Sequence, residues 1–132
     1  MSPIEILAAI QRGSLLGPAT FDGVDCDAVL AAIDASPEYE AEWMRLQDLV
    51  DGAWERAAPS ETVRDLAKRI HKHVFFAVKQ ASHEHDIAAW VADDLDLIVR
   101  GRIAGVTDSF LERLWATYEN DSLPSPALLA VQ

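Results

Sequence analysis

The chain has 132 residues, 50% of them apolar and 25% charged, the balance of one globular domain and not of a disordered segment. Its 22 acids against 11 bases leave a net charge of −11, which repels phosphate backbones and anionic lipid surfaces and argues against direct nucleic-acid binding and membrane attachment. No apolar run approaches the roughly 18 residues that span a bilayer, and the single cysteine, Cys26, allows no internal disulfide, so a reducing, cytoplasmic setting is expected.

The first stretch, MSPIEILAAIQRG, lacks the basic start of a signal peptide. Ser2, Pro3 and Glu5 instead form a capping-box pattern, predicting a helix to Arg12 that stops at Gly13. GSLLGPATFDGVD, with three glycines and a proline, is predicted to be a loop. Asp25 can cap a short helix through Ala35. Ser36-Pro37 opens a third helix, whose apolar positions Tyr39, Trp43, Leu46, Val50, Ala53 and Ala57 alternate steps of four and three and so share one face. Gly52 lies inside it at a cost of about 1 kcal/mol relative to alanine, and Pro59 ends it.

Ser60 opens the fourth helix, with its stripe at Val63, Leu66, Ile70, Val74, Ala77 and Ala81. After a short break near Ser82, a fifth helix reaches Gly105 with Ala88, Val91, Leu95, Ile98 and Val99 on its main side and Trp90 and Leu97 on the other. A last helix spans about Ser109 to Asn120, where Ser109 and Glu112 fit a capping box. No period-two run of useful length predicts a strand. The expectation is an all-α, single-domain bundle of five or six helices covering residues 1–120, with a central antiparallel hairpin (about 60–81 and 83–104) and an extended tail at 121–132.

The histidines invite a metal reading. His71 and His73 lie about ten residues from the turn that carries His83 and His85, roughly 15 Å at 1.5 Å per residue, so the four rings cannot meet on one ion. Within each pair the i, i+2 spacing points the rings apart, whereas a helical zinc site uses i, i+4 or i, i+3. A site at His83, His85 and Asp86 requires an irregular helix start. At that start Glu84 and Asp86 suit the helix dipole, so the acids are expected to keep the turn capped.

Catalytic machinery is equally thin. Cys26 lies between Asp25 and Asp27, whose charge disfavours a thiolate. No G-x-S-x-G, P-loop or G-x-G-x-x-G is present, and Asp93, Asp94 and Asp96 read as a solvated acidic face. The chain is therefore read as non-enzymatic, with no cofactor.

Charge is unevenly spread. Residues 1–63 carry net −9, residues 64–79 net +4 and residues 80–132 net −6. The basic strip, Arg64, Lys68, Arg69, Lys72 and Lys79, is expected to pair with acids on neighbouring helices. Excess carboxylates remain. Asp48, Asp51 and Glu55 lie beside Met44 on the third helix, and Asp86 and Asp93 lie near Trp90 and Leu97 on the fifth. Apolar anchors ringed by carboxylates have the composition of a protein-binding hot spot for a basic partner. The preferred reading is an acidic inhibitor or immunity-type protein that blocks a basic protein, such as one that handles nucleic acid, by offering carboxylates where phosphates would sit. Two others stay open: a metal- or ligand-binding helical protein using His83, His85, Asp86 and Asp93, and a helical adaptor or homodimer.

Overall fold

The computed structural model describes residues 1–130, which contain no strand. Seven α-helices follow one another: α1 (Pro3–Gln11), α2 (Pro18–Phe21), α3 (Cys26–Asp34), α4 (Pro37–Ala57), α5 (Glu61–Ser82), α6 (His85–Ile103) and α7 (Ser109–Glu119). A 3-10 turn closes the described chain at Pro126–Ala130. The all-α expectation holds, with one helix more than the upper count. The addition is α2, a single turn inside the segment read as a loop, with Gly17 as N-cap and Pro18 in its first turn. A Cβ at Gly17 would collide with the carbonyl oxygen of Gly13, so this reversal needs glycine there.

Serine caps set most boundaries. Both halves of the Ser2–Glu5 box form, at 3.2 and 3.1 Å. Ser36 Oγ accepts from the Tyr39 N–H and Ser60 Oγ from the Val63 N–H. At α7 the cap lies one residue earlier than expected. Asp108, not Ser109, accepts from the N–H groups of Phe110 and Leu111 at 2.9 and 3.1 Å. The turn between α5 and α6 differs more. His83 takes a left-handed conformation (φ 60°) that ends α5, and Glu84 stands at the N-cap of α6 without a side-chain cap bond. The acids therefore do not cap this turn; Ser82 Oγ accepts the Glu84 N–H instead.

The hairpin of α5 and α6 forms as predicted, but only α6 is enclosed. It touches α1, α3, α4, α5 and α7 and buries residues on all sides, including Ile87, Val91, Leu95, Leu97, Ile98 and Gly101. The flank helix α5 buries only Ala67, Ile70, Val74 and Val78, because Arg64, Lys68, Arg69, Lys72 and Lys79 occupy its exposed face. The tail, expected to be extended, is irregular at 122–125 and then turns at Pro126–Ala130 against α7 and α4. Leu123, Leu128 and Leu129 pack against the core there, which rewards the turn over extension. The last two residues of the expected tail, Val131 and Gln132, lie outside the described residues.

Candidate functional site

Helical spacing builds a cleft between the end of α3 and the first halves of α4 and α6. Tyr39 and Trp43 are four apart on α4, and Glu40 and Met44 repeat that step one position on. Trp90 and Asp93 are three apart on α6, and Ile33 and Asp34 close the end of α3. Together these residues line a space of about 330 Å³. Its walls are aromatic and its rim carries Asp34, Glu40 and Asp93, all exposed. Met44 stands beside it, 47% exposed. The Tyr39 ring meets the Trp90 ring at 6.5 Å and the edge of Phe110 at 5.6 Å, so the wall is backed by the core.

Behind that wall lies a carboxylate. Asp94, expected on a solvated acidic face, is completely buried. Its Oδ1 accepts the Trp43 indole N–H at 2.8 Å and its Oδ2 accepts the Tyr118 hydroxyl at 2.5 Å, so one side chain joins α4, α6 and α7. Burial pushes Asp94 up to about 7, against the lowering pull of the Tyr118 and Trp43 donors, and Asp93 adds a further upward push. Burial and the same carboxylate hold the Tyr118 hydroxyl well above its ordinary range. The Tyr39 hydroxyl, raised by burial and then by Asp94, is buried with no hydrogen-bond partner among the described residues. A sequence signal for Asp94 existed. It sits three residues after Val91 and four before Ile98, on the core-facing stripe, where an acid must be buried or break the pattern.

The remaining predicted residues separate. Leu97 is a correction: it is 1% exposed, because the neighbours of α6 cover its second apolar side as well. Asp86 is exposed in the first turn of α6 and does not line the cleft. Asp48 and Glu55 are exposed further along α4. Asp51 accepts from Arg100 at 2.7 Å, and Asp96, four residues before that arginine, accepts from it at 2.9 Å. The cleft thus unites Met44, Trp90 and Asp93 of the predicted set and adds Asp34, Tyr39, Glu40 and Trp43.

The histidine–aspartate alternative is not assembled. Among the described residues no group of three or more His, Cys, Asp or Glu side chains is placed to hold a metal ion. His83 is spent on the left-handed end of α5, while the His85 ring packs edge-on against Phe75 at 5.3 Å. His71 contacts Asp93 at 3.2 Å. Cys26 is buried and unpaired; burial raises its thiol, and Glu84, Asp27 and Asp25 add to the effect. Nor do the α5 bases pair internally as expected. Among the described residues the ion pairs belong to Arg45, His71 and Arg100, and Lys79 lies over the Phe75 ring. No described helix is long and apolar enough to cross a membrane.

The family model described as Immunity protein PIM1 matches residues 5–125, nearly the whole chain and all the residues of the cleft. No curated protein and no solved structure matches.

Proposed function

The chain belongs to the PIM1 immunity protein family, and from that premise we propose that it neutralises a basic toxin by non-enzymatic association through the cleft of α3, α4 and α6. An immunity protein acts by binding a partner protein, so the question is which surface does the binding. The observation that carries the choice is the cleft itself: two tryptophans and an exposed methionine rimmed by Asp34, Glu40 and Asp93, with no lysine or arginine in its lining. Aromatic anchors at the centre of a polar rim are where binding energy concentrates. The chain's net charge of −11 speeds the approach of a cationic partner. Asp48 and Glu55 extend the negative field along α4. A toxin whose working face binds phosphates would find carboxylates in their place, which suits a nucleic-acid-handling toxin and a cytoplasmic site of action.

A protection assay tests this reading. Cells producing the toxin that the wild-type protein neutralises are supplied with Glu40→Lys/Asp93→Lys or with Met44→Ala. The double reversal is expected to abolish protection and Met44→Ala to weaken it, with helix content by circular dichroism unchanged. Full protection by the folded double reversal refutes the docking face.

A further inference from the structure

We propose that the cleft receives one arginine side chain of the bound partner, with its guanidinium laid on the indoles and forked by the rim carboxylates. The proposal rests on the docking face named above and adds the chemistry that this face recognises.

The size is right for one long side chain. A space of about 330 Å³ lies at the small end of ligand pockets, enough for one extended side chain with its planar head. The walls select a flat cation. Trp43 spends its N–H inward on Asp94 at 2.8 Å, so what it offers the cleft is hydrocarbon and π surface. Trp90 is half-buried, and its N–H has no partner among the described residues. Indole faces attract cations, and a guanidinium both stacks on them and bonds carboxylates in parallel pairs, which a compact ammonium cannot do.

The rim supplies uncompensated charge. Among the described residues neither Asp34 nor Glu40 enters an ion pair, and Asp93 meets only the imidazole of His71. Asp34 is the last residue of α3, which has no basic residue in its final turn. A carboxylate at a helix C-terminus adds to the negative end of the dipole and is itself disfavoured there. An incoming cation relieves both. The Asp94 bond fixes the Trp43 indole before any partner arrives, so little ordering remains to be done on binding.

The test uses the intact 15N-labelled protein at pH 8 and blocked amino acids as probes. Nα-acetyl-arginine N-methylamide is expected to give saturable shifts of the Trp43 and Trp90 indole N–H signals, with a dissociation constant on the order of 1 mM. The lysine counterpart should bind at least about threefold more weakly, and the neutral citrulline counterpart should leave both signals unmoved. Glu40→Gln/Asp93→Asn, which keeps the shape of the rim, should weaken the arginine probe about tenfold. Absence of saturation, an equal response to citrulline, or shifts scattered over the acidic surface and missing the two indoles overturns the proposal. The two readings fail separately. If the double reversal abolishes protection while the arginine probe leaves the indoles untouched, the docking face stands and the arginine does not.

Discussion

At the scale of single residues, the short run Ala-Asp-Asp-Leu-Asp shows how far one letter can differ from the next. Asp93 is exposed on the rim of the cleft, Asp94 is fully buried behind it, and Asp96 is paired with Arg100. Composition identifies three acids; only register on α6 separates them. The sequence pattern leaves Asp93 exposed but does not reveal that Asp94 is buried, because an acid on a core stripe is normally excluded and its two donors come from positions 51 residues earlier and 24 later. Trp43 was legible as a core position yet not as a wall of the cleft, since that depends on where α3 and α6 lie. The raised pKa of Asp94 has a signed consequence. The folded state prefers the protonated carboxyl, at about 7 against an ordinary 3.8. Its contribution to stability is complete below about pH 4 and is lost as the pH rises through about 7, on the order of 4 kcal/mol in all. Asp94→Asn removes this titration. Urea denaturation at pH 5 and pH 8 is expected to show the variant gaining on the wild type as the pH rises; parallel pH profiles would contradict the assignment.

At the scale of elements, helix ends were more legible than helix neighbours. Serine caps followed by proline or glutamate placed the starts of α1, α4 and α5 because those bonds are local. The start of α7 slipped by one residue because Asp108 and Ser109 both suit a cap, and only Asp108 also meets Arg45. Burial pushes the Asp108 carboxyl up, but the Leu111 N–H, the Arg45 guanidinium and the Phe110 N–H outweigh it and hold it below the usual range. Asp108→Ala should therefore cost about 1–2 kcal/mol, whereas Ser109→Ala should be nearly neutral; the two midpoints in urea decide between the caps. In α4 the opposite change is available. A Cβ at Gly52 would meet only the mobile end of the exposed Arg56 at 3.3 Å. Gly52→Ala should raise stability by up to about 1 kcal/mol, measurable as a higher melting temperature. The single turn of α2 escaped because four residues hold no periodicity. The unequal burial of α5 and α6 escaped because a stripe states which side is apolar, not how many neighbours cover the rest.

At the scale of the whole molecule, charge and fold class were both readable from the sequence, and the family match places the chain among proteins that act by holding another protein. The lining of the cleft was readable only in part. Met44, Trp90 and Asp93 share the cleft, while Leu97 went to the core and Asp51 to Arg100, because those outcomes depend on tertiary neighbours. A partner drawn in by excess carboxylates should associate more slowly in salt. Raising sodium chloride from about 50 to 200 mM is expected to slow association with the toxin about tenfold and to change dissociation far less. Stopped-flow traces that are flat across that range would remove electrostatics from the account. The tether at Asp94 carries a further consequence for synthesis. It joins a helix made before it to one made after it. A nascent chain that has not yet released this tyrosine from the ribosome holds its central acid with one donor instead of two. The bundle therefore closes around its acid only once α7 has left the exit tunnel.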